Sequence, residues 1–208
     1  MQNTKPCTAQ TDGGERGATM NMTETRLSSQ RCFDGKIIRI CLDQVRLPDG
    51  SQASRECVLH PGGAAVLAVT PQQQVVLVRQ HRYVCGGDLL ELPAGKLDGD
   101  EDPADCALRE LAEETPYTAG SVQLLHAFFS SPGFCNERIH LFWAQDVQAN
   151  SQASPDEGEL LELVLLDRAQ VREALARQQI EDGKTLVALY WWLAMASDDP
   201  SACSMVEG

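Results

Sequence analysis

The sequence is short of positive charge. Lysine and arginine number 17 against 30 aspartates and glutamates, a formal net charge of −13. Nucleic acid and anionic membrane both require a basic footprint, so neither is expected as a partner. A small phosphate ligand stays open, because a local metal site reverses the field around itself. The eight cysteines, Cys7, Cys32, Cys41, Cys57, Cys85, Cys106, Cys135 and Cys203, include no CxxC pair, which removes zinc-finger and thioredoxin-like spacing. Scattered among apolar neighbours, they read as reduced thiols rather than a disulfide framework. No apolar signal core opens the chain. The longest apolar run, residues 186–196, would span about 16 Å as a helix, short of a bilayer core of about 30 Å. Repeats and heptads are absent too. A soluble, cytoplasmic protein is expected.

What is present is one domain's worth of structure with a small addition: 208 residues suffice for both. Residues 1–26 are polar and aperiodic and read as a mobile tail. Residues 27–60 read as a small antiparallel sheet, with strands at 36–42, 45–47 and 54–59 and a Pro48-Asp49-Gly50 turn. Such a sheet is too small to stand alone. It must lie on the main domain or on another subunit, and a homodimer is expected. Residues 61–198 carry the main domain, and 199–208 a second tail. The β-rich runs 64–70 and 75–79 read as a hairpin in the core of the main sheet, followed by strands at 88–92, 122–129, 138–144 and 160–166. Residues 145–158 read as a loop. Asp167 caps a helix running to 178, Asp182-Gly183 breaks the chain, and a last helix covers 184–196. Its Tyr190, Trp191 and Trp192 read as packing residues rather than a ligand cage. Strands interleaved with three helices predict an α/β fold with a mixed sheet between helices.

Residues 95–117, GKLDGDEDPADCALRELAEETPY, carry the chemistry. Asp102 fits an N-cap, Pro103 the first helical position, and Asp105 adds charge where the helix dipole favours it. Ala104, Ala107, Leu108 and Leu111 follow the spacing of a buried face. Glu110, Glu113 and Glu114 then share an adjacent flank, and Arg109 stands four residues before Glu113, where it orients it. A solvated acidic face is the plain alternative. Like charges at these spacings repel, however, and a hard cation such as Mg²⁺ with its preference for oxygen turns that repulsion into a site. The Pro93-Ala94-Gly95 bend offers backbone oxygens nearby.

Gly95, five residues, Glu101, seven residues, then Arg109-Glu110-Leu111-Ala112-Glu113-Glu114 resembles the Nudix box. Tyr117 fills the closing apolar position, and Pro116 replaces the second glycine of the pattern. A proline there forbids a left-handed helix exit and pushes Thr115 out of the helical region. Glu91-Leu92-Pro93-Ala94-Gly95-Lys96, Ser131-Pro132-Gly133 and Arg55 with His60-Pro61-Gly62 extend the resemblance to the ADP-ribose pyrophosphatase branch of the Nudix hydrolases. The resemblance implies a Nudix α/β/α sandwich with a mixed sheet and a small N-terminal antiparallel sheet. It also implies dimers that swap that sheet and build each substrate site from two subunits.

The implied reaction is attack of metal-activated water on the diphosphate of a nucleoside diphosphate sugar, with ADP-ribose giving AMP and ribose 5-phosphate. Glu110, Glu114 and Glu113 would hold Mg²⁺ (or Mn²⁺), with the Ala94 carbonyl and Glu159 as further ligands. Glu157, in the acidic segment before residue 160, would be the general base. Arg55 and Arg82 would contact phosphate, and Glu137 and Pro132 the substrate. His81, His126 and His140 lack metal-ligand spacing and read as structural. Other nucleoside diphosphate sugars, UDP-glucose or GDP-mannose, remain open as substrates. A module that binds ADP-ribose without cleaving it also remains open.

Overall fold

The computed structural model describes residues 21–150 and 160–195. Three strands come first: β1 Thr25–Asp34, β2 Arg39–Arg46 and β3 Gln52–Leu59, antiparallel in that order. The turn between β2 and β3 falls at Pro48-Asp49-Gly50, with Gly50 at φ 87 and the Asp49 carboxylate accepting the Ser51 N–H at 2.9 Å. Two strand expectations are corrected here. The sheet begins at Thr25, inside the expected tail and well before residue 36. Bulges at Arg26/Ser28 and Arg31/Phe33 break the alternation that would have marked β1, and its whole length is exposed. Residues 39–46 also form one strand rather than parts of two. Val45 alone in this sheet is fully buried. The sheet is tied to the main body at the end of β3, where Val58 N–H donates to the Phe134 carbonyl at 2.8 Å and Asn136 N–H to the Val58 carbonyl at 3.2 Å.

The main body runs β4 Gly63–Leu67, β5 Val75–Arg82, β6 Gly87–Glu91, β7 Ala94–Lys96, α1 Pro103–Glu114, β8 Tyr117–Thr118, β9 Ser121–Phe129, β10 Arg138–Gln145, β11 Gln148–Ala149, β12 Leu161–Leu166, α2 Arg168–Ala176 and α3 Gly183–Ala194. One sheet has the order β7-β4-β10-β9 and is mixed, because β4 and β10 run parallel. A second, β12-β5-β6, is antiparallel, and β11 pairs with β8. The uniformly apolar runs of β4 and β5 are explained by two cores. Successive side chains of a strand point to opposite faces. Ala64, Val66, Ala68 and Val76 pack with Cys106, Ala107 and Leu111 of α1. Ala65, Leu67, Val75 and Leu77 pack with Val171 and Ala174 of α2 and Ala188, Leu189 and Trp192 of α3. Both faces are covered, which is the α/β/α sandwich.

The expected hairpin of 64–70 with 75–79 forms only at its turn, where Thr70 N–H donates to the Gln74 carbonyl at 2.8 Å and Val76 N–H to the Ala68 carbonyl at 2.9 Å. Both edges of β4 are already taken, by β7 and β10, so β5 has no ladder to join. The two runs meet around the Val69–Val75 bridge and then diverge into different sheets. The expected loop 145–158 contains β11, and its residues 151–159 lie outside the described residues. The buried face of α1 passes through Cys106, Ala107, Leu111 and Glu114, whereas Ala104 and Leu108 are only partly covered. Trp192 is buried and Trp191 lies 5.5 Å from Trp143, as packing residues should, but Tyr190 is exposed.

Helix α3 is positioned by its first turn. Asp182 caps it, accepting the Thr185 N–H at 2.9 Å and the Thr185 hydroxyl at 2.6 Å. The buried Thr185 Oγ1 in turn accepts the Leu92 N–H at 2.8 Å, which fastens the helix to the segment between β6 and β7. Thr185→Val preserves shape and leaves that buried N–H without an acceptor. Urea unfolding should show a loss of about 1–3 kcal/mol; an unchanged midpoint would mean that the clasp contributes nothing.

Candidate functional site

The site is built around the C-terminal half of the sandwich's acidic helix and the strand before it. Asp102 Oδ1 accepts the Ala104 N–H at 2.8 Å and Pro103 opens α1, as the sequence predicts. At the other end, Thr115 is extended (φ −140, ψ 159), as a residue before proline should be. Its hydroxyl donates to the Leu111 carbonyl at 2.6 Å and accepts the Tyr117 N–H at 3.2 Å. Thr115 thus covers the helix end that a left-handed glycine would otherwise finish.

Arg109 organises the carboxylates. Its Nε and Nη2 grip Glu101 at 2.9 and 3.1 Å, and its Nη1 donates to Glu110 at 2.8 Å and Glu113 at 2.7 Å. Nη2 also reaches the Cys106 sulfur at 3.4 Å, so all five N–H groups of the fork are engaged. Arg109 orients Glu113, as expected from their spacing, and does the same for Glu110 and Glu101. The hydrogen bond from Arg109 holds the Glu101 carboxyl at about 2. Burial pushes the Cys106 thiol up to about 12, so it is no nucleophile at neutral pH.

Gly95 faces Glu110. A Cβ at residue 95 would lie 1.8 Å from Glu110 Oε1, a clash no other residue type avoids without moving the carboxylate. Glu114, largely buried, accepts the Ala94 N–H at 3.0 Å. The donor set suits a hard divalent cation in kind: oxygen only, three carboxylates on one flank, with the Ala94–Lys96 backbone beside them. Among the described residues no three His, Cys, Asp or Glu side chains are grouped so as to hold a metal ion. Arg109 draws on two of these carboxylates and the Ala94 N–H on the third.

Beside Ala94 and Gly95 opens a cleft of about 540 Å³, lined in part by Arg82, Lys96, Lys184, His60, Ser130 and Glu137. Glu137 accepts the Ser130 hydroxyl at 2.5 Å. Arg82 holds the buried Glu91 through Nε at 2.7 Å and Nη2 at 2.9 Å. Burial alone would raise the Glu91 carboxyl; hydrogen bonds from Arg82 and Lys184 and their charges bring it below the usual range.

The structure therefore brings together Arg82, Glu137 and Ala94 in one cleft, with Glu110, Glu113 and Glu114 on the adjoining helix. It does not bring Arg55 and Pro132 there. They share a second depression of about 480 Å³, where Glu24 holds Arg55 at 2.6 and 2.9 Å. Glu157 and Glu159 lie outside the described residues. Sequence reasoning gave Glu101 no task and missed Glu91 and Lys184. The spacing of Glu101 from Arg109 was visible as part of the box. No short-range pattern links Glu91 to Lys184, since they meet only through the fold.

The Glu101–Arg109 contact sets an acid-side expectation. A carboxyl held below its ordinary value of 4.5 stabilises the fold above that pH and loses the effect as pH falls through about 2. The stability difference between the native chain and Glu101→Gln should be constant above pH 4.5 and shrink toward pH 2. Urea unfolding across that range measures it.

Comparison with known proteins places this geometry. A family model described as NUDIX domain matches residues 59–189, and one described as Nucleoside diphosphate sugar hydrolase N-terminal domain matches residues 24–58. The chain is 37% identical over 169 residues to a methanol dehydrogenase activator of Bacillus methanolicus, covering 81% of this chain and 91% of that protein. It is 36% identical over 172 residues to an ADP-ribose pyrophosphatase of Bacillus subtilis, covering 82% and 93%. It is also 36% identical over 183 residues to a GDP-mannose pyrophosphatase of Klebsiella pneumoniae, covering 83% and 90%. A solved structure titled as an ADP compounds hydrolase shares the fold at a TM-score of 0.70 and 19% identity, over 80% of this chain and 90% of that one. By the extent of these matches the chain belongs to the NUDIX domain family.

Proposed function

We propose that this protein hydrolyses the diphosphate bond of ADP-ribose to AMP and ribose 5-phosphate, as a metal-dependent, cytoplasmic homodimer. The observation that carries the reading is the placing of Glu110 against Gly95 and of Glu114 on the Ala94 N–H, with Glu113 tied to Glu110 through Arg109, beside a cleft with three cationic side chains. The relative named ADP-ribose pyrophosphatase, matched along 93% of its length, supports the substrate. Nudix hydrolases generally need a divalent metal.

Glu110, Glu113 and Glu114, with the Ala94 carbonyl and Glu159, are the residues we assign to hold it, Mg²⁺ first and Mn²⁺ as a substitute. When bound, the ion would offset charge on the diphosphate and activate water. Arg109 positions Glu110 and Glu113 from one guanidinium. Arg82 offers its fork to phosphate oxygens from the cleft wall. Glu137, fixed by Ser130, faces the same cleft as a hydrogen-bond acceptor for substrate hydroxyls. Glu157 is our candidate for the base that takes the proton of the attacking water, the role left open by the box residues.

Residues 27–60 serve as the dimerisation sheet and 61–198 as the catalytic domain. The exposed β1, with Leu27 and Phe33 in the open, favours burial against a second copy. Such an arrangement would also give Arg55 and Pro132 a role that they lack in the cleft of their own chain. The described cysteines are all free thiols, in keeping with a reducing compartment. A second reading, hydrolysis of GDP-mannose or another nucleoside diphosphate sugar, is favoured by the relative named for that substrate.

A panel of nucleoside diphosphate sugars assayed with Mg²⁺ or Mn²⁺ decides between substrates. ADP-ribose should be cleaved with release of AMP; preferential cleavage of GDP-mannose would move the assignment to the second reading. Glu114→Gln should cut turnover by at least about a hundredfold while the fold survives. A chain whose native form has no turnover to lose would instead be a binding module. Gly95→Ala should leave the unfolding midpoint nearly unchanged, because the clash is with the movable end of Glu110, yet lower kcat strongly.

A further inference from the structure

The cleft contains a charge assembly that the box does not supply. Glu91, at the end of β6, is 2% exposed, and both of its oxygens are occupied. Oε1 accepts Arg82 Nε at 2.7 Å, and Oε2 accepts both Arg82 Nη2 at 2.9 Å and Lys184 Nζ at 2.5 Å. A buried carboxylate is costly unless paired and hydrogen-bonded, and two cations do this here. Lys184 comes from the first turn of α3 and is 13% exposed, with Asp182 Oδ1 at 3.0 Å. The next residues along each segment are joined too, through the Leu92 N–H and Thr185 Oγ1. The placement of Lys184 is therefore fixed by two adjacent bonds between segments distant in sequence.

We propose that Lys184 is a substrate-anchoring residue and that Glu91 is the positioning residue that presents Lys184 and Arg82 as a pair to the phosphates of a nucleoside diphosphate sugar. This deepens the function proposed above and rests on it. An ammonium has three N–H donors, and Glu91 and Asp182 take two; the third is available to a ligand in the cleft that Lys184 lines. Arg82, which also lines the cleft, is 39% exposed and uses Nε and Nη2 on Glu91, so Nη1 is not taken by Glu91. Because Arg82 Nη2 and Lys184 Nζ share one acceptor atom, the two cations stand close enough to bind one phosphate group between them. Glu91 holds two mutually repelling cations together before the substrate arrives, so less order has to be imposed on binding. The assembly is built from β5, β6 and α3 rather than from the helix assigned to the metal, and its contribution is to binding rather than to activation of water.

The test is equilibrium binding of ADP-ribose, GDP-mannose and inorganic pyrophosphate to the full chain by calorimetry in EDTA, where turnover is suppressed. Lys184→Met, Lys184→Arg and Glu91→Gln are compared with the native chain. Lys184→Met should weaken binding of the native chain's preferred ligand about tenfold to a hundredfold, the value of one charge-assisted hydrogen bond. Lys184→Arg should recover most of that loss. In turnover with Mg²⁺, Lys184→Met should raise KM by a similar factor and change kcat much less, which a purely structural residue would not do. Glu91→Gln should shift affinity in the same direction. If Glu91→Gln fails to fold, Lys184→Met alone decides. Native-like affinity and KM in Lys184→Met overturn the proposal even where ADP-ribose hydrolysis stands. If the native chain cleaves GDP-mannose instead, the substrate assignment falls while Lys184 is judged on that ligand. If the native chain neither binds any of the three in EDTA nor cleaves a nucleoside diphosphate sugar with Mg²⁺, both fall; if it cleaves one without binding in EDTA, the KM of Lys184→Met decides.

Discussion

The guanidinium of Arg109 is what allows several carboxylates to crowd one end of this molecule. On a solvated helix, like charges three or four residues apart cost about 0.2–0.5 kcal/mol per pair, and partial burial makes the cost larger. Arg109 answers Glu101, Glu110 and Glu113 at once. A lysine has neither the donors nor the planar fork to do so. Glu101 grips the guanidinium by two bonds, so its position does not depend on Glu110 and Glu113. Those two remain able to turn to another cation while Arg109 stays in place. The helix is attached to the rest of the fold through Cys106, Ala107 and Leu111, and Glu110 is thereby held against Gly95 and Glu114 on the Ala94 N–H.

Most of what lies close in sequence was legible there. The cap at Asp102, the proline at the first helical position, the extended Thr115 before Pro116 and the common flank of the glutamates follow from local rules that the fold obeys. The mixed sheet between helices was legible as a class. What was not legible depends on edges and distance. Whether 64–70 pairs with 75–79 depends on who else occupies the edges of β4, which nothing in either run encodes. The strand at Thr25 carries two bulges and hides its period. Glu91 and Lys184 belong to different elements with no shared motif, and only the docking of α3 on the end of β6 makes them neighbours.

An acidic chain with a cationic cleft is less paradoxical than its net charge of −13 implies. At physiological ionic strength, fields from exposed charges fade over about 8 Å, so distant surface carboxylates contribute little inside the cleft. The charges that act there are the near ones: Arg82, Lys96 and Lys184 in its lining, and the α1 carboxylates next to Ala94 and Gly95. The two sets do not cancel, because they are separately committed. Glu91 fixes two of the cations and Arg109 two of the carboxylates. A diphosphate lying across the cleft would meet cationic nitrogens directly from the wall. It would meet the carboxylates only through a cation that they hold. The division explains why the fold keeps the buried Glu91 with its two cations, where apolar residues would fill the same volume at lower desolvation cost.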